Sequence, residues 1–363
     1  MKMDSCFKTK GMFVEIVTIT VLFFTLFLPG ATSGAQGSPC IPITWSTGVD
    51  YPLGTIVEYP SNGNCYKEYE TGTDGSDATD PTISTWYWSP TICNATPNVV
   101  GAYWPNWVSS PIRIINVPPQ YNLIYLFSAQ PVGGSPGTGS VFFTPPADGR
   151  GAATNFNADI QYARTVQGRK VILSIGGAGN EMSFPDRTTS QTFVNSIVAL
   201  YNQFGGFDGI DWDTYEGSDN PDTSEMIWIS LQLKQLYPGF LITSPPAPWS
   251  STDVTFCTAM VQAGALDYCA PQYYDGPDLA DPSYVASNAP QWVSALGPTH
   301  VVIGFGVDNA TNYMTPAQAA DTWNQLAITY PTLGGAFDWN ASTDETQGWP
   351  FADTVAPLAA CSN

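Results

Sequence analysis

From about residue 98 onward, short apolar runs alternate with stretches of helical spacing. The strand-like runs are NVVGAYWPNW, NLIYLFSA, KVILSIGG, FDGIDWD, FLITSPPAP, LDYCAPQYYD, HVVIGFG and LGGAFDW. Between them DIQYARTVQG, SQTFVNSIVALYNQFG, SEMIWISLQLKQLYP, DVTFCTAMVQAG and TPAQAADTWNQLAITYP repeat apolar residues every three or four positions, and PFADTVAPLAA closes the chain. Eight strands alternating with helices over roughly 260 residues predict a (β/α)8 TIM barrel across 98–363. A doubly wound open sheet is the alternative. It has fewer strands and a glycine-rich phosphate turn after the first, which this chain lacks.

Residues 36–97 read differently. Short runs such as GTIVEYP and NCYKEYE lie between turn clusters, with no helical period. They predict a small β module, too short to hold a core without staples. The predicted class is therefore α/β: a barrel preceded by a small disulfide-stapled β module. In the module Trp45, Tyr51, Gly54, Val57, Tyr59, Tyr66, Gly72, Pro81 and Trp86 follow one another in an order that resembles the chitin- and cellulose-binding modules of carbohydrate-binding families 5 and 12. Exposed rings in such modules stack on the apolar faces of sugars. The candidates are Trp45, Tyr66, Trp86 and Trp88. Trp86, Tyr87 and Trp88 are consecutive, so alternation on a strand leaves at least one of them outward.

Composition narrows the partners. The 363 residues are 43% hydrophobic and 12% charged, with a formal net charge of −20. So acidic a chain is a poor match for nucleic acid, whose phosphates call for Lys and Arg. Lys2, Lys8 and Lys10 precede the run IVTITVLFFTLFLP and small residues at Ser33 and Ala35. This reads as a secretory signal over 1–35, cleaved near Ala35. An uncleaved anchor is the alternative, but the run is shorter than the ~20 residues that span a bilayer. The mature chain is expected to be secreted, free of the membrane and monomeric. Cys6 leaves with the signal, and six cysteines remain, an even set suited to disulfides. Cys257 is expected to pair with Cys269, Cys40 with Cys93 and Cys65 with Cys361, out of fifteen possible pairings. Asn94, Asn309 and Asn340 each open an N-x-[ST] sequon. His300 is the only histidine. That excludes Ser-His-Asp catalysis and His-based zinc sites, and no metal or cofactor is expected.

In a (β/α)8 barrel, chemistry sits at the C-terminal ends of the strands. There the third strand ends in SIGG (Ser174–Gly177) and the fourth in a carboxylate cluster. The sixth ends in QYYD (Gln272–Asp275) and the eighth in FDW. In this order the motifs resemble family-18 glycoside hydrolases, the chitinase family, in its compact single-barrel form. The resemblance covers about Val99 to the C-terminus, through Ser174, Gly176 and Gly177; Asp208, Gly209, Asp211 and Asp213; Gln272, Tyr274 and Asp275; and Trp339. It implies chitin or chitooligosaccharides as the partner. It also implies a substrate-assisted mechanism, in which the sugar's own acetamide attacks the anomeric carbon. Asp213 would hold the acetamide and Asp211 would exchange a proton with it. Tyr274 would bond the acetamide carbonyl, and Trp339 would form the floor. Tyr103, Gln272, Asp275 and Trp249 are further candidates for substrate contact. Asp208, at the strand's start, reads as structural.

The chain departs from the family at its acid. The family places a Glu two residues after the last Asp of the strand-4 motif; here that position is Tyr215, and Glu216 follows one residue late. If strict strand alternation continued, Glu216 would face away from the cleft and Tyr215 into it. A phenol, with pKa about 10, is a poor general acid. Two readings follow. One is a chitin-binding barrel whose hydrolysis is weak or lost. The other is an active endochitinase in which a bulge at Thr214 returns Glu216 to the cleft.

Overall fold

The computed structural model describes residues 40–70, 80–214 and 220–362. The leader with Cys6, Gly72, Tyr215 and Glu216 lie outside them. A small sheet comes first, in the order β1 (Ile43–Thr44), β2 (Ile56–Tyr59), β3 (Asn64–Glu68), β4 (Trp88–Thr91). The larger sheet contains β5 (Val99–Pro105), β6 (Leu123–Pro131), β7 (Val141–Phe142), β8 (Lys170–Gly176), β9 (Gly209–Asp213), β10 (Leu241–Ser244), β11 (Tyr268–Cys269), β12 (Gln272–Tyr273), β13 (Val302–Phe305) and β14 (Gly335–Asp338). All its pairings are parallel except that of β7 with the end of β6.

The sheet curls. Its pairing order is β11-β10-β9-β8-β6-β5-β14-β13-β12. The two outermost members, β11 and β12, are successive pieces of one stretch of chain interrupted at Ala270 and Pro271, and Cys269 also bridges Val301. Such an arrangement agrees with the expected barrel. Helices α1 (Phe156–Thr165), α2 (Arg187–Phe204), α3 (Thr223–Leu236), α4 (Ser251–Gln262), α5 (Pro282–Leu296), α6 (Pro316–Thr329), α7 (Ala341–Thr346), α8 (Pro350–Thr354) and α9 (Ala356–Ala359) complete the chain. Among the described residues no helix is long and apolar enough to cross a membrane.

One helix was not legible in the pattern. α5 contains Pro290, which lacks an N–H and makes its surroundings look like a turn. The helix forms because Asp281 caps it, Pro282 occupies its first turn, and Val285, Ala289, Trp292 and Leu296 make a buried stripe.

Strand alternation divides the core in two. Trp104, Trp212, Ile210 and Ile242 face the helices. Tyr103, Tyr125, Phe127, Tyr268, Tyr274 and Phe337 fill the inside of the curl. Trp212 therefore points outward, stacked on Phe193 with its Nε1–H donated to Ser230 Oγ at 3.0 Å. Its neighbours Asp211 and Asp213 point inward.

The cysteines correct two expected pairings. Cys257–Cys269 forms as expected, but the others are Cys40–Cys361 and Cys65–Cys93. The strands explain the exchange. Cys65 on β3 lies opposite Thr91 on β4, which brings Cys93 within reach just beyond the strand end. Cys40 is left beside the C-terminal segment.

The small sheet packs tightly on the chain's last residues. A Cβ on Gly54 would lie 2.2 Å from the Pro357 carbonyl oxygen, so only glycine fits. Lys67 is buried and donates to Leu358 O at 3.1 Å and Cys361 O at 2.9 Å; burial pushes its ammonium down to about 8. Lys67→Met is expected to strand these two buried carbonyls and to cost about 1–3 kcal/mol. A urea midpoint unchanged from wild type would refute this.

The aromatic candidates of this sheet are also corrected in part. Tyr66 and Trp88 are buried with Tyr51 and Val57 in the sheet's own core, because their strand faces turn inward. Trp45 is half-buried, its ring edge-on to Tyr59. Trp86 is the outward member of its triplet, 56% exposed.

Candidate active site

The C-terminal ends of the strands surround a cavity of about 430 Å³. Asp213, Trp249, Gln272, Tyr274, Asp275 and Trp339 all line it, although they come from four separate stretches of chain. Gly176 and Gly177 line it too. A Cβ on Gly176 would come within 2.2 Å of the Asp213 carbonyl oxygen, and Gly177 N–H donates to that same oxygen at 2.6 Å. The SIGG turn thus lets β8 close directly against the end of β9 and fixes where Asp213 is presented.

Trp339 is held from several sides. Tyr274 stacks with it at 5.9 Å between centroids, and Phe127 and Tyr103 meet it edge-on at 4.9 and 5.3 Å. Such a caged ring is a preorganised platform. Gln272 donates its side-chain N–H to Pro245 O at 2.5 Å and its backbone N–H to Pro246 O, which ties β12 to the loop carrying Trp249. Trp249 is 59% exposed at the cavity mouth. Asp275 is exposed and in the left-handed region at φ 60°, where its N–H donates to Asn312 O.

Beneath the cavity lies Asp211, 1% exposed. Tyr103 and Ser174 donate to its Oδ2 at 2.8 and 3.0 Å, and Thr243 donates to Oδ1 at 2.6 Å. Burial pushes this carboxyl up to about 6, while the hydrogen bonds from Thr243, Tyr103 and Ser174 pull the other way. Asp211 is therefore a buried group able to hold or release a proton in mildly acidic solution, two residues from the cavity-lining Asp213. Tyr103 is a correction: fully buried and stacked on Tyr125, it supports Asp211 and Trp339 from below and does not line the cavity. Its position on β5 suggested substrate contact, but its hydroxyl is committed to Asp211.

The remaining carboxylate of the described cluster, Asp208, is structural as expected. It accepts from Arg164 Nε and from Val171 N–H, both at 2.9 Å, at the opposite end of the strand. His300 also lies away from the cavity, its Nδ1 bonded to Asp267 O.

β9 ends at Asp213, and the chain bends at Thr214, which is buried. Tyr215 and Glu216, on which the parity expectation turns, lie outside the described residues.

A family model for glycosyl hydrolases family 18 matches residues 99–356. The chain belongs to that family. The family-18 region accounts for every strand of the curled sheet. Chitinase Chi52 of Paenibacillus xylanexedens is 30% identical over 218 residues, covering 55% of this chain and 36% of that protein. Chitinase D of Niallia circulans is 31% identical over 187 residues, covering 47% and 32%. The chain thus matches about a third of the length of these relatives. A family-18 chitinase from Chromobacterium violaceum shares the fold, with a TM-score of 0.61 and 22% identity over 88% of this chain and 99% of that one.

Some of the cavity's lining escaped the sequence reading. Trp107, 58% exposed, contacts Trp339 at 6.0 Å between centroids. Phe127, Ser128, Gln130 and Asn180 add to the wall. Trp107 had a signal, since NVVGAYWPNW ends in aromatics just past a strand. Phe127, Ser128 and Gln130 lie within β6 and Asn180 follows β8, none with a distinguishing pattern.

Proposed function

We propose that this cleft binds chitin or chitooligosaccharides and hydrolyses β-1,4-linked N-acetylglucosamine by the substrate-assisted route, with Glu216 as proton donor. The observation that carries the reading is the vertical pairing of groups. A proton-holding Asp211 sits under Asp213, and Tyr274 and a caged Trp339 share the same cavity. In this mechanism Asp213 holds the acetamide N–H and Tyr274 the acetamide carbonyl, while Trp339 supports the ring. The attacking oxygen comes from the substrate, so no protein nucleophile is needed. Asp211 takes or gives the proton that lets Asp213 carry charge as the cyclic intermediate forms. The names of the curated relatives support the substrate class, and three disulfides suit export to an oxidising compartment.

A second reading, a chitin-binding barrel with weak or no turnover, is favoured by one observation. Tyr215 stands where the family places its acid. A labelled chitin tetramer followed for cleavage, with calorimetric titration of the same sugar, separates the two. Cleavage that disappears in Glu216→Gln supports hydrolysis. Micromolar binding with no cleavage would establish the binder, and neither binding nor cleavage would overturn both. In either case Trp339→Ala is expected to weaken tetramer binding by about 10–100-fold, measured in the same calorimeter.

A further inference from the structure

Asp211 is fastened by hydroxyls on both of its carboxylate oxygens. On one side Tyr103 and Ser174 reach its Oδ2. On the other Thr243, from β10, donates to Oδ1 at 2.6 Å. Thr243 is fully buried and lies opposite Tyr268 in the register of β10 and β11. Tyr268 in turn lies 2.8 Å from the hydroxyl of Tyr125 on β6. When Asp211 is ionised it can only accept, so the single proton of Thr243 points at Oδ1. All of these hydroxyls are buried, where a hydrogen bond is electrostatically stronger than in water.

We propose that Thr243 is a positioning residue that sets how tightly Asp211 holds its proton and keeps Oδ1 turned toward β10. The inference deepens the proposed function, because the relevance of that proton to hydrolysis rests on it. The groups facing Asp211 can be enumerated by strand: Tyr103 from β5, Tyr125 from β6, Ser174 from β8, Asp213 from its own strand, Thr243 from β10 and Tyr268 from β11. Of these only Asp213 is a carboxylate; the three phenols are held well above their ordinary value by burial and stay neutral. Thr243 is the donor to Oδ1.

The test needs no turnover. The folded Asp211 titrates at about 6 against an ordinary 3.8. A raised folded value means that stability is fully present below 3.8 and is lost as pH rises toward 6. Thr243→Val removes the donor at nearly constant shape, so the loss should continue to higher pH. The full chain is melted from pH 4 to pH 8 as wild type, Thr243→Val and Thr243→Ser, each also with Asp211→Asn. The expected result is that the melting-temperature gap between Thr243→Val and wild type widens from pH 4 to pH 8. Thr243→Ser should follow wild type, and Asp211→Asn should abolish the widening. If Thr243→Val does not fold at any pH, Thr243→Ala takes its place in the same series. A gap equal at both pH values, or a widening that survives in Asp211→Asn, would overturn the proposal. Because the readout is unfolding, a chain that never cleaves chitin still tests it. In a chain that does cleave, the acidic limb of the kcat profile should also move upward in Thr243→Val and not in Thr243→Ser.

Discussion

Asp213→Asn should lower the kcat for chitin-tetramer hydrolysis by about 10²–10³-fold while changing the affinity for the sugar by less than about tenfold. The asymmetry follows from what the side chain faces. Asp213 lines the cavity above buried Asp211, and its backbone is fixed by Gly177. Asn keeps an oxygen that can accept from an acetamide N–H, so ground-state binding largely survives. It cannot supply the negative charge that opposes the positive ring formed in the transition state. An interaction made only there appears in kcat and not in KM. The rates come from the labelled tetramer and the affinities from calorimetry. A variant within about threefold of wild type in kcat would remove Asp213 from the chemistry.

The fold was legible because each strand-like run was apolar, bounded by turns and followed by a helical repeat. The strand ends were informative for the same reason: SIGG, the Asp cluster and QYYD break the apolar pattern where a barrel opens to solvent. Sequence reading failed where a residue's role depends on its neighbours across the sheet. Tyr103 could not be told from a cleft-lining ring until Asp211 was seen to claim its hydroxyl. Tyr66 and Trp88 have the right spacing for a sugar platform, yet the small sheet needs them as its own core. The pairing of Cys65 with Cys93 follows from the antiparallel register of β3 and β4, which cysteine spacing does not encode.

That same burial gives Asp211→Asn an unusual pair of expected consequences. Hydrolysis should be lost, because an amide cannot exchange a proton with Asp213. Stability should rise. The folded carboxyl titrates at about 6 because it is wholly buried, against an ordinary 3.8. Above pH 6 the wild type must therefore hold a buried anion that the unfolded chain carries in water, and the gap corresponds to about 3 kcal/mol. Asn carries no charge. Its oxygen can accept from Tyr103 and Ser174, and its NH2 can donate to Thr243 if that hydroxyl turns. The two proteins should thus be similar near pH 4. The wild type should weaken relative to the variant as pH rises to 6, and the difference should then stay constant. Urea midpoints at pH 4, 6 and 8 measure it. If the variant is the less stable protein at pH 8, the three hydroxyl donors outweigh desolvation, and Asp211 is ionised at no net cost to the fold. If it is more stable and inactive, the barrel keeps a destabilising carboxylate where hydrolysis needs one, and a purely sugar-binding role gives no reason for that.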